Sequence, residues 1–206
     1  MRHFIHTNTG ARYFYDGGAG TEVTIEDVAH HICNVARFGG ATDHHYSVGY
    51  HSLLVEHILN QWNADPRLRL RGLLHDAHEG FMGGDFPTPF QEWFREEICS
   101  GIDYLEQAKA YCDKVIFDGL GVNYQLCPAE QATLHVADKT AFIIEAGQVF
   151  REPPDWLEEY KERFKLRHFP DYVIILPADN AYIKKKFLAK YDELYDLVFS
   201  KAESAA

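Results

Sequence analysis

The stretch LLHDAHE, Leu73 to Glu79, sets His75 and Asp76 side by side directly after two apolar residues. His51 lies upstream and Asp138 downstream, so three separate segments offer two imidazoles and two carboxylates. Two adjacent residues cannot enclose a metal alone, and polar groups drawn into a protein interior need a partner. For a mixed nitrogen and oxygen set a cation is the economical partner. Glu79 stands four residues beyond His75, which on a continuous helix puts the two on one face.

The surrounding pattern predicts the elements that would position these groups. Residues 3–22 mix aromatics with glycines, a composition suited to a short extended or hairpin flap. Thr24 with Asp27 reads as an N-cap for a helix in which Ile25, Val28, Ile32 and Val35 keep helical spacing, ending at Gly39 and Gly40. Ser47 opens a longer amphipathic run with Val48, Leu54, Val55, Ile58 and Leu59 on the apolar side, so His51 falls on a helix. Asp65 and Pro66 supply an N-cap and a first helical residue for the helix that carries RLRLRGLLHDAHE. The glycine- and proline-rich GFMGGDFPTPF is expected to form a loop at the pocket edge.

Residues 90–98 and 102–120 read as helical. Pro128 begins another helix, with Leu134, Ala137, Ala141 and Ile144 as its stripe and Asp138 interrupting it. After Pro153 and Pro154, DWLEEYKERF predicts a short helix and DYVIIL a short strand or extended connection. The last helix runs from about Pro177 to Ser200 and buries Ile183, Phe187, Leu188, Tyr191, Leu194 and Leu197; KAESAA reads as a disordered tail. The fold class is all-α in a single domain, with a core at about 24–150, a flap at 1–23, a helical extension at 151–200 and a tail at 201–206.

Composition narrows the function. The 206 residues carry a formal charge of −11 and 46% hydrophobic side chains. Such a balance offers no face-wide basic stripe for a nucleic-acid backbone, and an anionic ligand would need a local basic patch. No run of ~18 apolar residues could span a bilayer, and the N-terminus lacks a signal-peptide pattern, which predicts a soluble, cytoplasmic protein without membrane partners. Cys33, Cys99, Cys112 and Cys127 show no C-x-x-C spacing and read as ordinary helix residues.

With H, then HD, then D in view, the chain resembles the HD-domain superfamily of metal-dependent phosphohydrolases. YSVGYHS is similar to that family's first-histidine helix, LLHDAHE to its metal helix, GDFPTP to the following loop and VADKTAFIIE to its final-aspartate helix. More narrowly, TNTGARYFYD, TIEDVAH and ARFGG resemble the bacterial and phage branch that includes 5′-deoxynucleotidases and phage dATP triphosphohydrolases. The likeness covers residues 7 to 150, and the remainder carries no recognised motif.

The resemblance implies that His51, His75, Asp76 and Asp138 hold one divalent transition metal, Co²⁺, Mn²⁺, Zn²⁺ or Fe²⁺, with an additional Mg²⁺ accompanying a triphosphate substrate. It implies that Glu79 positions water or shuttles its proton, that Arg37 binds phosphate, that Asp85 works near the sugar or leaving group, and that Phe38 contacts base or sugar. Read alone, Arg37 also suits a helix C-terminus.

Two departures stand out. Phe90 and Gln91 occupy the place where relatives often carry a lysine, for which Lys139 is a candidate substitute, and Gly40 replaces a frequent histidine. His78 reads as a supporting or surface residue, and His44 and His45 receive no role. The implied activity is release of triphosphate from a deoxynucleoside triphosphate, in the host cytoplasm if phage-encoded, by a homo-oligomer. A 5′-deoxynucleotidase is the alternative, followed by a non-catalytic nucleotide-binding regulator and a di-iron oxygenase in which His78 adds a ligand.

Overall fold

The computed structural model describes residues 2–164 and 172–203. It is predominantly helical, with one antiparallel hairpin. Strands β1 (Phe4–His6) and β2 (Arg12–Phe14) pair with Ile5 opposite Tyr13. The helices are α1 (Ile25–Asn34), α2 (Val48–Gln61), α3 (Pro66–Leu74), α4 (Glu79–Met82), α5 (Thr88–Trp93), α6 (Tyr104–Leu120), α7 (Pro128–Ala146), α8 (Leu157–Phe164) and α9 (Asn180–Glu203). Among the described residues no helix is long and apolar enough to cross a membrane.

Local chemistry sets most of the boundaries. The side chains of Thr24, Ser47 and Asp65 accept backbone N–H groups of Asp27, Tyr50 and Arg67, satisfying donors that a helix N-terminus leaves free. Helix α2 lies at the centre, against α1, α3, α7 and α9, which is why Leu54, Val55, Ile58 and Leu59 are all fully buried. Two glycines permit the close crossings. A Cβ on Gly49 would stand 2.5 Å from the Cys33 sulfur, and one on Gly72 would stand 2.4 Å from Leu59 Cδ1. The buried face of α9 holds Ile183, Phe187, Tyr191 and Leu194, but Leu197 is exposed.

Several expectations are corrected. Helix α1 stops at Asn34 rather than at the glycine pair. Its exit strand instead bridges Ala36 to Ser47, and Arg37 N–H donates to the Tyr46 carbonyl at 2.8 Å. The expected loop after the HD pair contains α4 and the start of α5. In the 90–98 segment the helix widens into a π-turn at Phe94–Ile98. Cys99 and Cys127 lie outside helices. Tyr172–Ile175 form no strand, so the extended connection is the reading that holds, with Asp171 outside the described residues. Helix α9 takes in 201–203 of the expected tail, and 204–206 lie outside the described residues.

Candidate metal centre

The helix through LLHDAHE is not continuous. It ends at Leu74, and the next residues close tight turns in which the N–H groups of Ala77, Glu79 and Gly80 reach back three residues to Leu74, Asp76 and Ala77. Glu79 therefore follows the HD pair through a break in the helix, its N–H on the Asp76 carbonyl, rather than along the continuous helix expected. Ligand atoms of Asp76, His78 and Glu79 accordingly lie within 4.8 Å of one another, as do those of His51, His75 and Asp138. The break also turns the HD pair off the buried end of α3 toward α2 and α7.

The four expected ligands meet. His51 Nε2, from the first turn of α2, lies 3.3 Å from His75 Nε2, 3.2 Å from Asp138 Oδ1 and 3.4 Å from Asp76 Oδ2. His75 Nε2 lies 3.0 Å from Asp76 Oδ2 and 3.9 Å from Asp138 Oδ1.

The far side of each ring determines what it offers to the centre. His75 Nδ1 donates to the Gly72 carbonyl at 2.8 Å, and His51 Nδ1 donates to Glu145 Oε1 at 2.6 Å. A carbonyl or carboxylate can only accept, so the proton of each neutral ring sits on Nδ1 and both Nε2 lone pairs face inward. Two lone pairs and two carboxylates aimed at one point repel each other unless positive charge lies between them. The titration tendencies agree. Burial opposes a charged ring at His75, but Asp76 and Asp138 outweigh it and push the ring well above its ordinary value. Burial and Arg37 oppose charge at His51, where Glu145 and Asp138 prevail. Asp76 and Asp138 are held low despite their burial, by the imidazoles beside them.

Glu145 is the participant that sequence reasoning missed. Fully buried, it accepts from His51 and, at 3.0 Å, from the Tyr46 hydroxyl, and its second oxygen lies 3.2 Å from Arg37 Nε. Its signal was available: Glu145 follows Asp138 by seven residues, two turns along the same face of α7.

Arg37 is buried in extended backbone beyond the end of α1, ahead of the 3-10 turn Phe38–Gly40, with Nη1 3.6 Å from Asp76 Oδ2 and 4.0 Å from Asp85 Oδ2. Glu145, Asp85, Asp76 and Glu79 together overcome the burial and hold the guanidinium charged. Glu79 has one buried oxygen without a partner, and burial, with Asp76 and Asp85 close by, pushes its carboxyl well above the usual range. Asp85 is raised chiefly by burial and accepts from the Phe38 N–H at 3.3 Å, across from a left-handed Phe38 with φ of 56°.

A cleft of about 440 Å³ opens over this centre. Arg37, Asp76, Glu79, Asp85, Asp138 and Lys139 line one end; Lys139 Nζ lies 3.1 Å from Asp138 Oδ2. Lys109, from α6, also lines the cleft and is held by the side chain of Gln91. Two lysines, Lys109 and Lys139, thus line the cleft. The rest of the lining includes Phe38, Phe86, Phe142, Phe150, Trp156 and Tyr160, of which only Phe38 was expected. His78 is buried and donates to Asp113 at 2.9 Å. His45 approaches the Cys33 carbonyl at 3.3 Å, away from the ligands.

No family model matches the chain. An uncharacterised protein of Rhodobacter capsulatus is 47% identical over 72 residues, 33% of this chain and 36% of that protein. The uncharacterised protein YfdR of Escherichia coli is 32% identical over 88 residues, 43% of this chain and 46% of that protein. The chain therefore spans less than half the length of each of these curated relatives.

Proposed function

We propose that the protein is a metal-dependent phosphohydrolase of the HD-domain type that acts on deoxynucleotides, with release of triphosphate from a deoxynucleoside triphosphate as its leading reaction. One observation carries this reading: His51, His75, Asp76 and Asp138 converge, and Asp76 and Asp138 line the same cleft as Arg37 and Glu79. Two inward imidazole nitrogens and two carboxylates fit a divalent transition ion better than Mg²⁺, which prefers an all-oxygen set. Those four residues would hold the ion, and its chemistry is Lewis acidity toward a phosphoryl oxygen with a lowered pKa for water.

The chain's own groups supply the rest. Arg37, braced by Glu145, offers a fork matched to phosphate oxygens. Burial, with Asp76 and Asp85 beside it, raises the Glu79 carboxyl above the usual range, which suits it to exchange a proton with the departing 5′ oxygen or with the attacking water. Asp85 fixes the Phe38 backbone and so the mouth of the cleft. Lys109 and Lys139 extend the positive lining beyond Arg37, which favours a chain of phosphates over one. The 5′-deoxynucleotidase reading differs only in what leaves, since both reactions break the bond at the 5′ oxygen.

The deciding experiment supplies Co²⁺ or Mn²⁺ and follows triphosphate and orthophosphate separately across dNTPs, dNMPs and ribonucleotides. The His75→Ala/Asp76→Ala variant serves as blank. Triphosphate from dNTPs is the expected product, orthophosphate from dNMPs would select the alternative, and no turnover of any nucleotide would end the hydrolase reading.

A further inference from the structure

The C-terminal extension carries no recognised motif, yet it contributes to the cleft. Trp156, just ahead of α8, and Tyr160, within it, line the cavity together with Phe142 of α7. The indole of Trp156 stacks on Phe142 with centroids 5.5 Å apart and planes 14° apart, and Tyr160 tilts against both at 5.4 and 5.6 Å. Phe38 joins the same group, 5.6 Å from Phe142. All four are half-buried: packing alone does not use them up, and each leaves surface toward the cavity. Leu157 anchors this wall by inserting into a small cluster with Ile143 and Ala146.

The cleft is thus divided by chemistry. Carboxylates and cations gather around Asp76 and Asp138, the expected ligands that line it. Much of the remaining lining is aromatic and offers ring surface in place of hydrogen bonds. A volume of about 440 Å³ is in the range of small-molecule sites, and a ligand with an anionic end and a planar heteroaromatic end matches both halves.

We propose that Trp156, Tyr160 and Phe142 form a stacking wall for the base of a deoxynucleotide, which makes the segment around α8 a substrate-recognition element. The choice of a base as the occupant rests on the phosphohydrolase reading for the charged end. Stacking on an aromatic face tolerates any base, so this wall raises affinity for nucleotides as a class and leaves the choice among bases to other groups.

Two measurements test the proposal. The first is the ratio of kcat/KM for the deoxynucleotide to kcat/KM for 2-deoxyribose carrying the same 5-phosphate or 5-triphosphate group, which has no aromatic ring to stack. Trp156→Ala should lower that ratio on the order of tenfold, and Trp156→Phe should recover most of it; an unchanged ratio overturns the wall. The second does not depend on turnover. The chain has three tryptophans, so a Trp62→Phe/Trp93→Phe variant reports on Trp156 alone. Quenching of its fluorescence by 2′-deoxyadenosine but not by 2-deoxyribose is the expected result, and no quenching by either overturns the proposal. Quenching without hydrolysis would remove the phosphohydrolase reading and leave the ring site standing. Hydrolysis with neither quenching nor a change in ratio would do the reverse.

Discussion

The two ends of the cleft are built on opposite principles. At the charged end, the two imidazoles and the guanidinium are held from behind: His51 by Glu145, His75 by the Gly72 carbonyl, Arg37 by Glu145 and the Tyr46 carbonyl. At the aromatic end, half-buried rings lean on one another along a short helix fixed mainly through Leu157. Preorganised charge demands a second layer of partners, because an unpaired buried ion is expensive. Stacking demands only a surface. The first end should therefore be intolerant of change, and the second forgiving in stability and sensitive only in ligand affinity.

Four outcomes would sharpen or break that contrast. The largest effect belongs to His75→Ala/Asp76→Ala, which should lower phosphate release at least about a thousandfold, ~4 kcal/mol of barrier, in a metal-supplemented assay. Next is Glu145→Ala, which touches no expected substrate atom. It removes the fully buried carboxylate that backs both Arg37 and His51, so urea unfolding should show a loss of about 3 kcal/mol, and titration by Co²⁺ absorbance an affinity reduced about tenfold or more. Wild-type stability in the Glu145 variant would erase the distinction between the ends. Third, chelation should lower the Tm, by the equivalent of about 2.7 kcal/mol relative to protein with the ion at a hundred times its Kd. The smallest change is expected for Tyr160→Ala, within about 1 kcal/mol of the parent in thermal unfolding; a core-sized loss would mean that the aromatic wall holds the fold together.

The same division explains what was legible in the sequence. The caps at Thr24, Ser47 and Asp65 depend on neighbours two or three residues away, so the chain spells them out. The meeting of His51, His75, Asp76 and Asp138 was legible because their types and spacing follow a pattern. The break after Leu74 was not, since the residues there have ordinary helix propensity and tertiary placement of the HD pair prevails over it. The exit of α1 before Arg37 was hidden for a related reason: Ala36 leaves the helix to bridge Ser47, a partner eleven residues away. Glu145 looked like one more acid in FIIEA because its partners come from α2 and the segment before it. The Trp156 and Tyr160 wall depends on a fold-back onto α7 that local periodicity does not encode.

The N-terminal segment expected to pack as a flap is a hairpin in which Tyr13 is fully buried against Phe81, 4.6 Å between centroids, and the Tyr15 hydroxyl donates to the Phe81 carbonyl at 2.7 Å. Phe81 lies two residues beyond Glu79, in the same short helix. The hairpin is therefore a strut under the helix that carries Glu79, and shortening the protein to begin at Thr24 would loosen Glu79 while leaving His51 and Asp138 on their own helices.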